Sequence, residues 1–378
     1  MAHVRPFRGI RYDLERLGPD VALLVAPPYD VLDDAERDAL YARHPYNVVR
    51  LDLNRPAPTD SRDDDRYTRA RRYLMDWLAG GVLRLERDEA LYVVAQEFDG
   101  RDGERVTRWG FIGRVELAAY EERVILPHER TLKGPKADRL ALMKATETNL
   151  SQVFLLFDDP RHVVGAVLGP VMEHEPLVDI TTEDGIRHKM WIVDDAKRVD
   201  AVTSFFVNET MLIADGHHRY ETALAYRDFR RRVAQEDVED APYEYVTAFM
   251  VNMRDPGLVV YPTHRGVYGV EGFDAPTLVD ELEAHADFQV TRLEDIDPHD
   301  GDALLRAGAD AGAHRPSFVL CAGALDRAVL VEFSGGVRSS VFDPRTPEPV
   351  RAEQAMTMQS QIGVARWLEI RQNCSSPL

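Results

Sequence analysis

The sequence predicts an α+β protein, and three observations predict it. Strand and helix signals alternate along the chain without a repeating strand–helix–strand rhythm, so a clean doubly wound sheet is not expected. Two strand runs, residues 91–98 and 107–117, flank Asp99-Gly100-Arg101-Asp102-Gly103, which reads as a hairpin with a slightly long loop. The apolar run Met211-Leu212-Ile213-Ala214 breaks into Asp215-Gly216-His217-His218-Arg219 and then into a helix-forming run, a strand–turn–helix.

The elements follow in order. Residues 21–25 read as a buried strand ended by Ala26-Pro27-Pro28-Tyr29-Asp30, and Asp33 can cap a short helix through about residue 41. Residues 47–53 read as another strand, and 56–65 as an exposed, turn-rich stretch. Arg66–Ala79 is helical, with Ala70, Tyr73, Leu74, Trp77 and Leu78 on one face and Gly80-Gly81 ending it. After the hairpin, 120–136 reads as a charged loop. Residues 137–150 form a helix, 153–157 a strand, and 162–173 a helix disturbed by Pro170. Strand 186–193, helix 197–207, strand 211–214, helix 217–234 and strand 245–252 follow. Arg254-Asp255-Pro256-Gly257 is a turn by composition, and 259–262 is a further strand. From about residue 271 the pattern is helix 276–285, strand 288–293, helix 302–311, then strands 317–321 and 329–333. The tail from 339 shows periodicity only over 362–370. The expected organisation is an N-terminal α+β region over 1–85, a core over 86–268 and a smaller α+β region over 269–378.

Charge and composition narrow the function. A net charge of -19 argues against a general nucleic-acid surface, because phosphate backbones need a positive footprint. A small basic pocket remains compatible with it. Cys321 and Cys374 offer neither metal spacing nor a disulfide framework, which fits a reducing compartment. No run approaches the ~18 apolar residues a spanning helix needs, so no membrane partner is expected. The first residues, Met1-Ala2-His3-Val4-Arg5-Pro6-Phe7-Arg8, lack an apolar leader core, and a cytoplasmic location is expected.

The chemistry concentrates in Asp215–Arg219. Gly216 lets backbone approach a ligand, and the helix that follows starts with free N–H groups and partial positive charge, a setting for an anion such as phosphate. His217, His218 and Arg219 add donors. The plainer alternative is a capping Asp with ordinary polar turn residues. Adjacent His side chains on a helix diverge by about 100°, so a shared metal is disfavoured, and no metal ligand is assigned. A second group is Pro127-His128-Glu129, where a carboxylate beside a His can serve as general base, with Arg130, Lys133 and Lys136 to gather an anion. A solvated loop is its bland alternative. A third is Asn252-Met253-Arg254-Asp255-Pro256-Gly257 with Thr263-His264-Arg265, where His264 and Arg265 can line a cleft. A fourth, Pro27-Pro28-Tyr29-Asp30 with Asn47 and Arg50, reads equally well as a rigid corner. No Walker loop or GxGxxG fingerprint is present.

Together these residues resemble the bacterial and archaeal family known as domain of unknown function 1015. The resemblance rests on Arg5-Pro6-Phe7-Arg8-Gly9, Ala26-Pro27-Pro28-Tyr29-Asp30-Val31, Pro45-Tyr46-Asn47-Val48-Val49-Arg50-Leu51, Pro127-His128-Glu129-Arg130-Thr131, residues 214–224, Asp255-Pro256-Gly257-Leu258 and Pro262-Thr263-His264-Arg265. That family is in turn similar to free serine kinases with a ParB/sulfiredoxin-like fold, which carry a Pro-His-Glu and an Asp-Gly-His-His-Arg in the same order. The resemblance implies a ParB/sulfiredoxin-like core flanked by mixed α/β regions. It also implies phosphorylation of free L-serine or a similar hydroxy amino acid, using Mg2+ with ATP or ADP. It makes Glu129 the base, with His128 and Asp215 as catalytic companions. Gly216, His217, His218 and Arg219, together with His264 and Arg265, become phosphate or substrate contacts, and Asp215 and His217 the cofactor side. The match departs near the chain end: the expected Lys-Ser/Thr-Thr-like segment is not found, and residues 356–361 read Met-Thr-Met-Gln-Ser-Gln. The departure leaves a second expectation open, a non-catalytic nucleotide-binding or regulatory module of ParB-like type.

Overall fold

The computed structural model describes residues 2–18, 20–61, 63–100, 103–128, 133–233, 240–259, 272, 274–286, 288–297, 303–304, 306–308, 317–321, 325 and 327–333. Two compact units divide the chain, Met1–Val259 and Val260–Leu378.

The first unit runs β1 (Val4–Arg5), β2 (Ile10–Tyr12), α1 (Leu14–Leu17), α2 (Asp34–Arg43), α3 (Val49–Asp52), α4 (Arg66–Ala79), β3 (Leu83–Leu85), β4 (Leu91–Asp99), β5 (Arg105–Glu116), β6 (Ile125–Leu126) and α5 (Lys133–Thr146). It continues through β7 (Val153–Phe157), α6 (Val163–Leu168), β8 (Val178–Thr181), β9 (Arg187–Val193), α7 (Ala196–Phe206), β10 (Met211–Asp215), α8 (His217–Val233) and β11 (Tyr245–Asn252). Among the described residues its main sheet has nine strands in the order β6-β10-β7-β11-β5-β4-β9-β8, with β1 paired to the end of β5. The β6–β10 and β7–β11 pairs are parallel and the others antiparallel, so the sheet is mixed and the α+β expectation holds.

Alternation decides which face is buried. Leu91, Val93 and Ala95 of β4, Phe111 and Val115 of β5, Val153, Leu155 and Phe157 of β7, and Met211 and Ile213 of β10 share one core cluster. Val164 and Leu168 of α6, Val199, Val202 and Phe206 of α7, and Tyr220 and Ala223 of α8 join the same cluster. Each full-sized apolar side chain buried there contributes about 1.5–3 kcal/mol. A second cluster joins α3, α4 and β3 through Leu51, Leu74, Trp77 and Leu83. The face expected for α4 is the face buried, and Asp65 caps its N-terminus by accepting from the Tyr67 and Thr68 amides.

Three readings are corrected. Residues 21–25 form no strand: Asp20–Leu23 is a 3-10 turn. Residues 47–53 are not a strand either, since Val49–Asp52 is helical. One side chain accounts for both. Asn47, fully buried, donates its amide to the carbonyls of Leu23 (2.8 Å) and Val25 (2.9 Å), groups a strand would have paired with a neighbour. Its Oδ1 accepts from the Val49 amide at 3.0 Å and starts the helical turn. The stretch 120–136 holds more than a loop: a 3-10 turn at Tyr120–Glu122, β6, and the first residues of α5. As expected, Pro170 disturbs the helix after 162; α6 ends at Leu168 and Gly169–Glu173 continues as a 3-10 turn.

The second unit holds α9 (Ala275–Ala284), β12 (Phe288–Arg292), β13 (Ser317–Leu320) and β14 (Val329–Phe333), with the strands antiparallel in the order β12-β14-β13. Val279, Val329 and Val331 form its core. The periodic stretch 362–370 and Cys374 lie outside the described residues. Among the described residues, no helix is long and apolar enough to cross a membrane.

Candidate functional site

Strand β10 reaches the site through a run of buried apolar residues, Met211 to Ala214. Asp215 ends the strand, and its register against β7 slips between Ile213 and Asp215. Gly216 turns the chain with φ +89°, a backbone state that side chains other than glycine adopt only under strain. A Cβ at Gly216 would also stand 3.1 Å from the Cζ and Nε of Arg219. The first intrahelical bond of α8 then runs from the Tyr220 amide to the Gly216 carbonyl at 2.9 Å. Helix geometry leaves the amides of the first turn without intrahelical acceptors.

The second motif arrives through β6. Ile125 and Leu126 pair in parallel with Met211 and Leu212, so the chain after β6 runs on beside the end of β10. His128 consequently meets His217. The His128 backbone amide donates to His217 Nε2 at 3.1 Å, and the two rings cross edge-to-face with centroids 4.3 Å apart. His128 Nδ1 sits 2.6 Å from the Ile213 carbonyl oxygen. These partners set the tautomers. A ring nitrogen that accepts an amide proton carries none itself, so His217 holds its proton on Nδ1. A ring nitrogen facing a carbonyl must donate, so His128 also carries a proton on Nδ1. His217 is buried, with 2% of its surface exposed.

Arg219 is engaged twice. Its NH2 group pairs with Asp215 Oδ2 at 2.5 Å, and its NH1 group donates to the Gln152 carbonyl. Asp215 remains 38% exposed while Arg219 is 12% exposed, so the carboxylate is the more available partner for a ligand or cation. Helix α8 is fixed from outside the turn. The buried Tyr220 hydroxyl donates to the Ala118 carbonyl (2.8 Å) and accepts from the Ala118 amide (3.1 Å). Its ring stacks on Tyr120 at 5.7 Å, and Lys136 of α5 pairs with Glu221 at 2.5 Å. Among the described residues no group of three or more His, Cys, Asp or Glu side chains is arranged to hold a metal.

The other predicted residues divide. Glu129 lies outside the described residues, as do Arg130, His264 and Arg265. The turn around Asn252 to Gly257 closes on its own neighbours: Asn252 exchanges hydrogen bonds with the Asp159 backbone, and Arg254 pairs with Asp158 at 2.7 Å. Asn47 is a structural corner, and Arg50 stacks over Tyr41 at 4.2 Å.

Sequence reasoning missed a charged group beside the turn. Arg139 of α5, 7% exposed, pairs with Asp52 (3.0 Å) and Asp138 (2.6 Å), and its guanidinium lies 3.9 Å over the Tyr29 ring. Burial raises the Asp52 carboxyl, opposed by Arg139 and then by Arg219. Burial likewise pushes the Tyr29 hydroxyl up to about 12. The signal available was Arg139 at helical spacing from Leu142 and Thr146 on the buried face of α5, a charge that is costly to bury unless partnered.

Fold and site thus describe an α+β protein whose mixed sheet brings a His-bearing segment against a glycine turn at a helix N-terminus. A family model described as protein of unknown function (DUF1015) matches residues 4–350, and the chain belongs to that family. No curated protein and no solved structure matches the chain.

Proposed function

We propose that this protein is a cytoplasmic small-molecule kinase that phosphorylates a free hydroxy amino acid, L-serine or a close relative, from ATP or ADP with Mg2+. In this reading the β6–β10–α8 unit is a ParB/sulfiredoxin-like core. The observation that carries it is the contact of His128 with His217, residues 89 positions apart. It joins the Pro127-His128-Glu129 motif to the Asp215–Arg219 turn, and Glu129 is the next residue in the chain. Base and phosphate contacts must reach one substrate, and the meeting of the two motifs supports that reading.

The residues fit the implied Mg2+ and nucleotide. Mg2+ is commonly held by one or two carboxylates together with substrate phosphates, so the half-exposed Asp215 suffices without a three-ligand cluster. Bound there, the ion would neutralise charge on the phosphates. The α8 N-terminus and His218 would offer amide and imidazole donors to the same developing charge. Glu129 takes the proton of the substrate hydroxyl. The hydroxyl oxygen then bonds to the terminal phosphorus as the bond to the departing nucleotide oxygen breaks. Positioning and electrostatics supply most of the rate in such a transfer. His128, held by the Ile213 carbonyl, positions the segment that carries Glu129.

Incubating the protein with Mg2+, L-serine and either ATP or ADP should yield phosphoserine, read by mass spectrometry. Glu129→Gln should lower the rate at least ~100-fold, the usual contribution of a general base, and His218→Ala should weaken nucleotide binding. Undiminished product from Glu129→Gln removes Glu129 as base. A non-catalytic nucleotide-binding module is the second reading, favoured by the commitment of Arg219 to Asp215 and Gln152. Nucleotide binding with no transfer to any small hydroxy amino acid would select it.

A further inference from the structure

Beside the turn, α5, α8 and the end of α3 wall a small, open cleft. Asp52, Arg139, Met143, Ser151, Arg219 and Thr222 line it. Two polar atoms on these residues are buried without a hydrogen-bond partner among the described residues, Arg219 Nε and Thr222 Oγ1. Thr222 is 1% exposed. A buried, unmade hydrogen bond is costly, about 1–3 kcal/mol each, and natural interiors keep few of them without a role. Nε can only donate and a hydroxyl can donate, so together they suit an acceptor with two oxygens, such as a carboxylate.

The charged residues of the wall are Asp52, Arg139 and Arg219. Each of the two guanidiniums already has a carboxylate partner, Arg139 in Asp52 and Arg219 in Asp215 outside the cleft. Asp30 adds a further carboxylate close enough to bear on Asp52. Asp52 accepts from Arg139 through Oδ1 and has no hydrogen-bond donor to Oδ2 among the described residues. The spare carboxylate oxygen suits an ammonium group, as the unpartnered donors suit a carboxylate. Met143 belongs to the wall, and its unbranched chain repacks readily, so room for ligand contacts is a side-chain adjustment.

We propose that this cleft binds the α-amino acid end of a small substrate, its carboxylate on Arg219 Nε and Thr222 Oγ1 and its ammonium on Asp52 Oδ2. The assignment rests on the kinase reading for its reaction, but binding stands on its own. Arg219 then links the two subsites: NH2 holds Asp215 of the phosphate turn while Nε holds the substrate. The N-terminal region, through Asp52, supplies specificity for the amine.

Calorimetric titration of the full chain with L-serine tests it, with ethanolamine (no carboxylate) and 3-hydroxypropionate (no amine) as comparisons. L-serine should bind, and each comparison should bind at least tenfold more weakly. Thr222→Val, nearly isosteric, should weaken L-serine about tenfold or more, the loss expected for one hydrogen bond to a charged group. Asp52→Asn should weaken L-serine while leaving 3-hydroxypropionate unchanged. Unaltered L-serine affinity in both variants, or no binding of L-serine, L-threonine or L-homoserine, overturns the proposal. Phosphoserine formation with an unchanged KM in Thr222→Val overturns the cleft and leaves the kinase reading standing. L-serine binding that Thr222→Val abolishes, with no phosphoserine formed, does the reverse.

Discussion

The turns after β10 and β11 each carry an Asp and a Gly after a buried strand, and they are built for opposite ends. In the turn after β11, Asp255 folds back to accept the Gly257 amide at 2.8 Å, and Gly257 lies against the backbone of β5. A Cβ there would fall 1.8 Å from the Thr107 carbonyl oxygen. Its polar groups are matched within the turn and by the Asp158–Asp159 segment. In the turn after β10, Asp215 reaches out to Arg219, and Gly216 is needed for its positive φ and for the nearby guanidinium. Its His217 is met by a segment 89 residues earlier. The lesson is that Asp-Gly composition does not separate a closed turn from a ligand-facing one. What separates them is that Asp255 spends its carboxylate on the Gly257 amide of its own turn, while Asp215 keeps 38% of its side chain exposed beside a helix N-terminus.

The contrast predicts unequal glycine replacements. Gly257→Ala should cost about 3 kcal/mol or more, at the top of the usual overpacking range, because the clashing atom is backbone and has nowhere to go. The urea midpoint reads this directly, and a wild-type midpoint would break the description of a closed turn. Gly216→Ala should cost about 2 kcal/mol, chiefly from the positive φ, since the atoms it meets belong to a side chain that can move. Its larger consequence is functional: displacing Arg219 should weaken phosphate or nucleotide binding even where the variant is folded. Full binding by a folded Gly216→Ala would remove Arg219 from the site.

The same contrast explains what could be read from the chain. The strand–turn–helix of 211–224 was legible because an apolar run, a glycine and a helix-forming run are each local signals. Helix α4 was legible for the same reason, through the face of Leu74 and Trp77 and the glycines that end it. β6 was not, because two residues cannot display a period of two. The helical turn at Val49–Asp52 was misread as a strand because Asn47 satisfies the backbone that a sheet would have paired. The coupling of Asp52 to Arg139 joins residues 87 apart, and no local pattern announces it. Of the predicted site, the His128–His217 meeting needed the sheet order, while the turn itself did not.

Smaller effects sharpen the comparison further. Tyr220→Phe should cost about 1–1.5 kcal/mol, because it leaves the Ala118 amide and carbonyl without the hydroxyl that bridges them. The loosened element is α8, so the loss should appear as weaker protection of α8 amides from hydrogen exchange. The Asp255 turn should be unaffected, and equal loosening of both turns would contradict their independence.

The smallest effect concerns the acid of the closed turn. Burial raises the Asp255 carboxyl above its ordinary 3.8, opposed by the Gly257 amide, His162 and Arg108. A carboxyl raised on folding binds its proton more tightly in the folded chain. Its contribution is therefore greatest at low pH and declines as pH climbs from 3.8 through the raised value. Asp255→Asn keeps an oxygen for the Gly257 amide and removes the titration. Across that window the variant should gain stability relative to the parent as pH rises, measured by urea midpoints at successive pH values. A parallel pair of curves would mean that the Asp255 carboxyl is solvated rather than enclosed, and the turn after β11 would then be as open as the one after β10.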